Sequence, residues 1–295
     1  MGRTVPPMDA LTTTTLTVGG TTLDVEVFGP PDATGPTVVA VHGVLVDGRL
    51  WHPVARRLAE RGVRTVVPGL PLGSHRRPVA AADELSPRAV ARMVGAVVDR
   101  FGGGDVVLLA NDTGGAITQF LLDERPDVAS AVVLTNCDAF TSFPPAPFGI
   151  VFRLLRQPRA LPVLAASLRL RVLRHSPLGY GLLGTRLDPA LTASWAEPVQ
   201  TRTEIRADLV RLLRHVDPQD LDAVTRRIGP TAPPVTLVWG QRDRSFSPAL
   251  AQRLAAVLPG SRLVEVEGAR TFVSLDAPEA VVDAVLAAVA TTARG

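Results

Sequence analysis

Short apolar runs recur along this chain, and most are followed by a longer stretch with helical spacing. The runs at 37–41, 63–67, 106–110, 131–135, 235–239 and 262–266 read as strands. The stretches at 50–61, 87–101, 116–124, 249–258 and 279–290 read as helices. A strand that is apolar throughout must be covered on both faces, and alternation with helices supplies that cover. The pattern therefore predicts an α/β fold with a mostly parallel sheet and helices on both faces. Residues 16–18 and 22–28, joined around Gly19-Gly20, add a hairpin at the start. After Asp138 the alternation stops, and residues 139–230 hold Pro-rich turns and Arg/Leu helices before it resumes. Residues 1–138 and 231–295 are thus expected to form the core, with 139–230 a helical insert.

Composition narrows the partners. In 295 residues, 46% are hydrophobic, enough for a substantial core. No apolar run reaches the roughly 18 residues that span a bilayer. Arg3 is followed by no apolar h-region, so no signal peptide is expected. The single cysteine, Cys137, excludes an intrachain disulfide and suggests a cytoplasmic protein. All 31 basic residues are arginine, but a net charge of +3 does not argue for nucleic acid. The Arg/Leu helices at 151–174 raise a membrane surface, but a cap helix with solvated arginines is the favoured account. The expected partner is a small organic molecule, with no nucleic acid and no membrane, and a homodimer stays open. Scattered histidines give no metal site, and no phosphate-loop or dinucleotide fingerprint implies a cofactor.

In open α/β sheets ligands bind beyond the carboxyl ends of the strands. Those ends carry "HGVLVDGR" (42–49), "PGLPLGSH" (68–75), "NDTGG" (111–115), "NCDAF" (136–140), "GQRDRSF" (240–246) and "GARTF" (268–272). At 106–122 a strand turns into a helix through Asp112-Thr113-Gly114-Gly115. Such an elbow lifts one side chain clear of the sheet, and the next backbone N–H points at the same space. Asp112 has the reactive place and Thr113 N–H the donor's, with Val44 N–H after the third strand as second donor. The plain alternative for Asp112 is a turn aspartate capping the next helix.

These motifs, in this order and spacing, resemble the α/β-hydrolase fold, and its aspartate-nucleophile branch of haloalkane dehalogenases and epoxide hydrolases. The resemblance covers essentially the whole chain and makes 139–230 its cap. It implies that Asp112 attacks an electrophilic carbon to form an aspartyl ester. Asp243 and Asp138 match the two positions used for the supporting acid. The branch also places a histidine in the sequence Gly-Ala-Gly-His-Phe, whereas this chain reads Gly268-Ala269-Arg270-Thr271-Phe272. A threonine hydroxyl is no base at neutral pH. Epoxide hydrolases of this branch use two cap tyrosines, and here Tyr180 is the only tyrosine. Dehalogenases keep a tryptophan beside the nucleophile, where this chain has Thr113.

Three outcomes are weighed. Hydrolase-type chemistry on a medium-sized, mostly apolar molecule is favoured, with His75, His42, His175 or His215 as displaced base. A non-hydrolytic tailoring enzyme (isomerase, cyclase, lyase or decarboxylase) would use Asp112 as proton shuttle. A catalytically dead binding protein is the third. Arg270 would pair with Asp112 or Asp243, or clamp a substrate anion, unless it is a structural salt bridge. Asp47 would line the pocket or cap a helix, and Trp51 would pack beneath the oxyanion loop. Cys137 beside Asp138 reads as buried and inert.

Overall fold

The computed structural model describes residues 11–292. The chain runs β1 (Thr12–Val18), β2 (Thr21–Phe28), β3 (Thr37–Val41), α1 (His52–Glu60), β4 (Thr65–Pro68), α2 (Pro87–Phe101), β5 (Val106–Asp112), α3 (Thr113–Glu124) and β6 (Ala131–Cys137). It continues through α4 (Phe148–Leu155), α5 (Leu161–Ser167), α6 (Arg171–Arg174), α7 (Pro189–Thr201), α8 (Thr203–Arg214) and α9 (Pro218–Ile228). Then follow β7 (Val235–Gly240), α10 (Pro248–Val257), β8 (Arg262–Val266), α11 (Val273–Asp276) and α12 (Pro278–Thr292). One sheet holds all eight strands in the order β1-β2-β4-β3-β5-β6-β7-β8. The β1–β2 and β2–β4 pairs are antiparallel and the others parallel.

The buried strands separate two cores by simple alternation. Val39, Val41, Leu108 and Ala110 face the layer of α2, α3 and α10. Val38, Ala40, Val107 and Leu109 face α1 and α12. Side chains that alternate in direction with a period of two do this whenever every position is apolar. Local signals set the helix starts. Ser86 accepts from Ala89 N at 3.1 Å, with Pro87 opening α2.

Between β6 and β7 the chain makes six helices. The last, α9, packs on the core layer: Thr225 donates to Gln119 Oε1 of α3 at 2.6 Å, and Arg227 pairs with Asp123 at 2.8 Å. Arg88 of α2 reaches Asp220 at 2.7 Å. Helices α4, α5 and α7 instead line a cavity together with Val44 and Asp112, over the carboxyl ends of β3 and β5.

Candidate active site

Asp112 ends β5 and precedes α3 with φ 54° and ψ −132°, a region that L residues seldom occupy. Such strain costs on the order of 1–3 kcal/mol, and packing must hold it in place. Part of that packing is glycine. A Cβ on Gly43 would lie 2.2 Å from Asp112 Oδ2, and one on Gly114 2.4 Å from the Val41 carbonyl. The "HG" and "TGG" motifs therefore give the carboxylate its room and let α3 approach β3 closely. The backbone amides of Thr113 and Val44 act on the Asp112 carboxylate.

Asp112 opens into a cavity of about 410 Å³. The remaining lining is almost wholly apolar, with Phe148, Phe152, Leu155, Leu161 and Leu164 among it. Its few other polar members are Ser167, Ser176 and Tyr180, and the Tyr180 hydroxyl donates to the Leu45 carbonyl. Burial dominates the titration of Asp112, and the nearby Asp243 adds to it. The Thr113 and Val44 amides offset part, leaving the carboxyl pushed up to about 7.

Asp243, on the turn after β7, is fully engaged. Its Oδ1 accepts from Ser245 N (2.7 Å) and Phe246 N (3.0 Å). Its Oδ2 accepts from Asn136 Nδ2 (2.8 Å) and Thr271 Oγ1 (2.7 Å). Thr271 thus stands where the resemblance places an imidazole and makes the bond to the acid that the imidazole would make. Burial still raises Asp243, to about 6, with the four donors opposing.

Asp138 is buried, yet neither carboxyl oxygen has a well-formed hydrogen bond. Burial and then the charge of Asp112 push it well above the usual carboxylate range, and the neighbouring Thr113 hydroxyl relieves this only slightly. Burial and the neighbouring carboxylate both favour its protonated form. The same burial, with Asp138 and Asp112 beside it, pushes the Cys137 thiol up, so it is no thiolate. Neither Asp138 nor Asp243 lines the cavity.

None of the chain's five histidines lines that cavity either. His42 is saturated: Nε2 accepts from Leu70 N (3.0 Å), so Nδ1 donates to the Gly43 carbonyl (2.9 Å). Burial lowers its pKa and keeps it neutral. His75, considered as a displaced base, is bound between Gly73 N (3.2 Å) and Asp208 of α8 (3.2 Å). His175 bonds Thr192, and His215 bonds the Arg211 carbonyl. Arg270 departs from expectation as well. It reaches neither Asp112 nor Asp243; its Nη1 donates to the Gly181 carbonyl (2.7 Å), tying the loop of Thr271 to the insertion. Asp47 caps the turn at Gly48–Trp51, pairs with Arg49 and accepts from Trp195 Nε1 of α7 (2.9 Å). It too is a tether between core and insertion. Trp51 is fully buried in the layer beside α1, away from the cavity.

Two asparagines were passed over in the sequence. Asn136 Oδ1 accepts from Gly240 N (2.7 Å) while its amide holds Asp243. Asn111 Nδ2 donates to the Thr271 carbonyl (2.7 Å) and to Thr135 Oγ1 (2.9 Å). Both close apolar strands one or two residues before a named acid, and a polar side chain in that place was the available signal.

The comparisons agree with this fold. Residues 38–284 match the model of the alpha/beta hydrolase family. The chain belongs to that family of enzymes. Haloalkane dehalogenase 2 of Mycobacterium tuberculosis is 28% identical over 273 residues, covering 86% of this chain and 88% of that protein. The solved haloalkane dehalogenase DbeA from Bradyrhizobium elkani superposes with a TM-score of 0.77 at 20% identity, over 96% of this chain and 99% of that one. A putative epoxide hydrolase from Pseudomonas aeruginosa gives 0.77 at 21% identity, over 99% of each chain. At such identities the two structures speak for the fold alone.

Proposed function

We propose that this enzyme transfers a proton within a small, largely apolar organic substrate, and that the Asp112 carboxyl is the group that carries it. One observation supports this above the rest: a single carboxyl, poised near 7, in an otherwise largely apolar cavity. An acid–base group works best when its pKa lies near the working pH. Ionised Asp112 takes a proton from the substrate and returns it to another atom of the same molecule, an isomerisation or cyclisation with no net change in composition. The Thr113 and Val44 amides hold the carboxylate in place. Helices α4–α8 serve as the lid that keeps water out, and α9 belongs with the core layer on which it packs.

The aspartyl-ester route is the second reading, favoured by the two amides on Asp112 and by the similarity to a haloalkane dehalogenase. It needs a base to activate water, and such a base is worth roughly 10²–10⁴ in rate. Asp243 has all four acceptor positions filled, and no histidine lines the cavity. On this reading the reaction stops at the ester.

The two readings separate in one experiment. The protein is incubated with reactive haloalkanes and epoxides and its intact mass recorded, beside a deuterium-exchange screen of apolar ketones and polyenes. Proton transfer predicts solvent deuterium entering a substrate with no mass added to the protein. A stable adduct that disappears in Asp112→Asn overturns it in favour of the ester. Thr271→His then tests the ester reading: it should release the adduct and start turnover.

A further inference from the structure

The insertion between β6 and β7 carries a surface that the reaction does not use. From residue 139 to 187 there is no acidic residue and there are seven arginines. Apart from Leu11, every large apolar side chain that is exposed among the described residues lies between 150 and 178. Val172 is 82% exposed, Ile150 71%, Val163 70% and Leu170 62%. These are not the half-covered residues of an ordinary surface, since folded monomers seldom gather protruding apolar side chains in one region. Between them stand the exposed Arg153, Arg159, Arg169 and Arg171, and none of these has an ion-pair partner among the described residues. Many arginines of the core are paired, as Arg88, Arg125 and Arg227 are.

We infer that this face, centred on α4–α6, docks on the surface of a bilayer containing anionic phospholipid. Charge complementarity selects that occupant. A second copy would bring two acid-free, arginine-rich faces together and repel, whereas lipid phosphates meet the guanidiniums while the apolar side chains enter the acyl boundary. Solvated arginines alone would make an ordinary helix face; the exposed aliphatic residues between them give the segment a different meaning. No helix among the described residues is long and apolar enough to cross a membrane, so contact is with the surface only. Ile150, Leu154, Leu173 and Leu178 belong both to this face and to the cavity lining, so the Asp112 cavity opens where the lipid would be. That link rests on the proposed function, but the docking does not.

Vesicle flotation tests the docking without any activity. The full chain should float with phosphatidylglycerol–phosphatidylcholine vesicles, much less with phosphatidylcholine alone, and less as salt is raised. Arg169→Gln and Arg171→Gln should each weaken binding roughly fivefold. The pair Leu170→Ser and Val172→Ser should weaken it ~10-fold at unchanged near-ultraviolet circular dichroism. Absence of flotation with the anionic vesicles, or binding indifferent to both sets of substitutions, overturns the inference. So does sedimentation equilibrium showing a dimer that the Leu170/Val172 pair dissociates, which would assign the face to a second copy.

Discussion

Asp243 and Asp138 follow successive strands, β7 and β6, and both are buried, yet they are opposite kinds of acid. Four donors converge on Asp243 and hold it near 6, so it is mostly charged at neutral pH. No well-formed bond reaches either carboxyl oxygen of Asp138, and burial pushes its pKa well above the ordinary carboxylate range. Depth is the same; the difference is made by donors. A buried charge persists where its lone pairs are filled, and where they are not the group neutralises itself. Asp112 stands between these extremes, with two backbone amides and a near-neutral pKa, and that intermediate state suits a group that must both hold and release a proton.

The largest effect should come from emptying the filled site. Asp243→Ala strands the Asn136 amide, the Thr271 hydroxyl and two backbone N–H groups together. Each unsatisfied buried group is costly, so the loss is expected to be roughly 3–5 kcal/mol in urea denaturation at pH 7. A loss below about 1 kcal/mol would mean that water replaces the carboxylate freely, and the contrast with Asp138 would collapse.

Asp112→Asn comes next and has the opposite sign. The folded chain raises this carboxyl from 3.8 to about 7, so it binds the proton more tightly folded than unfolded. The favourable neutral form is fully present below the unfolded value and is lost as pH rises through about 7. An amide escapes that loss. The variant should match the parent near pH 4 and exceed it by on the order of 2–4 kcal/mol at pH 8, while turnover disappears. Paired thermal melts across that range check it. A variant less stable than the parent at pH 8 would show that the carboxylate is better solvated than its cavity indicates.

The layout of this contrast was legible in the sequence, but its chemistry was not. Apolar runs gave the sheet, and "NDTGG" after one of them gave the elbow, because paired glycines leave few other ways to turn a strand into a helix. Thr271 in place of a histidine was equally plain. Which acid would be charged was not legible, because that depends on donors such as Asn136 and Thr271, which reach Asp243 from other parts of the chain and, for Asn136, across more than a hundred residues. Arg270 and His75 misled for the same reason. Each sits on a strand-end loop, but Gly181 and Asp208, both from the insertion, draw them off. Strand ends identify the edge where chemistry gathers and leave open which side chains face inward.

Thr271→Val sharpens the contrast by removing one donor of four. Shape is kept and a hydroxyl lost, so about 1 kcal/mol is expected at pH 7. The hydroxyl favours the charged form of Asp243, so its removal raises that pKa above about 6. The deficit should therefore be greater at pH 8 than at pH 5, where the acid is protonated in both proteins. A pH-independent deficit would assign Thr271 a packing role only.

The smallest effect is expected where the local chemistry at first sight looks most precarious. Asp138→Leu exchanges a buried carboxyl without well-formed partners for an apolar group of comparable size. Burial already favours the neutral form of Asp138, so the exchange works against no favoured charge. Its backbone contacts survive: its N–H still faces the Asp112 carbonyl and its own carbonyl still accepts from Gln119. Stability should stay within about 1 kcal/mol of the parent, on either side, and the apparent pKa of Asp112 should stay near 7, because burial and Asp243, not Asp138, raise it. Urea denaturation and an NMR titration of the Asp112 carboxyl measure both. A loss beyond about 2 kcal/mol would require a strong bond to that carboxyl, and Asp138 would then rank with Asp243 as a supporting acid.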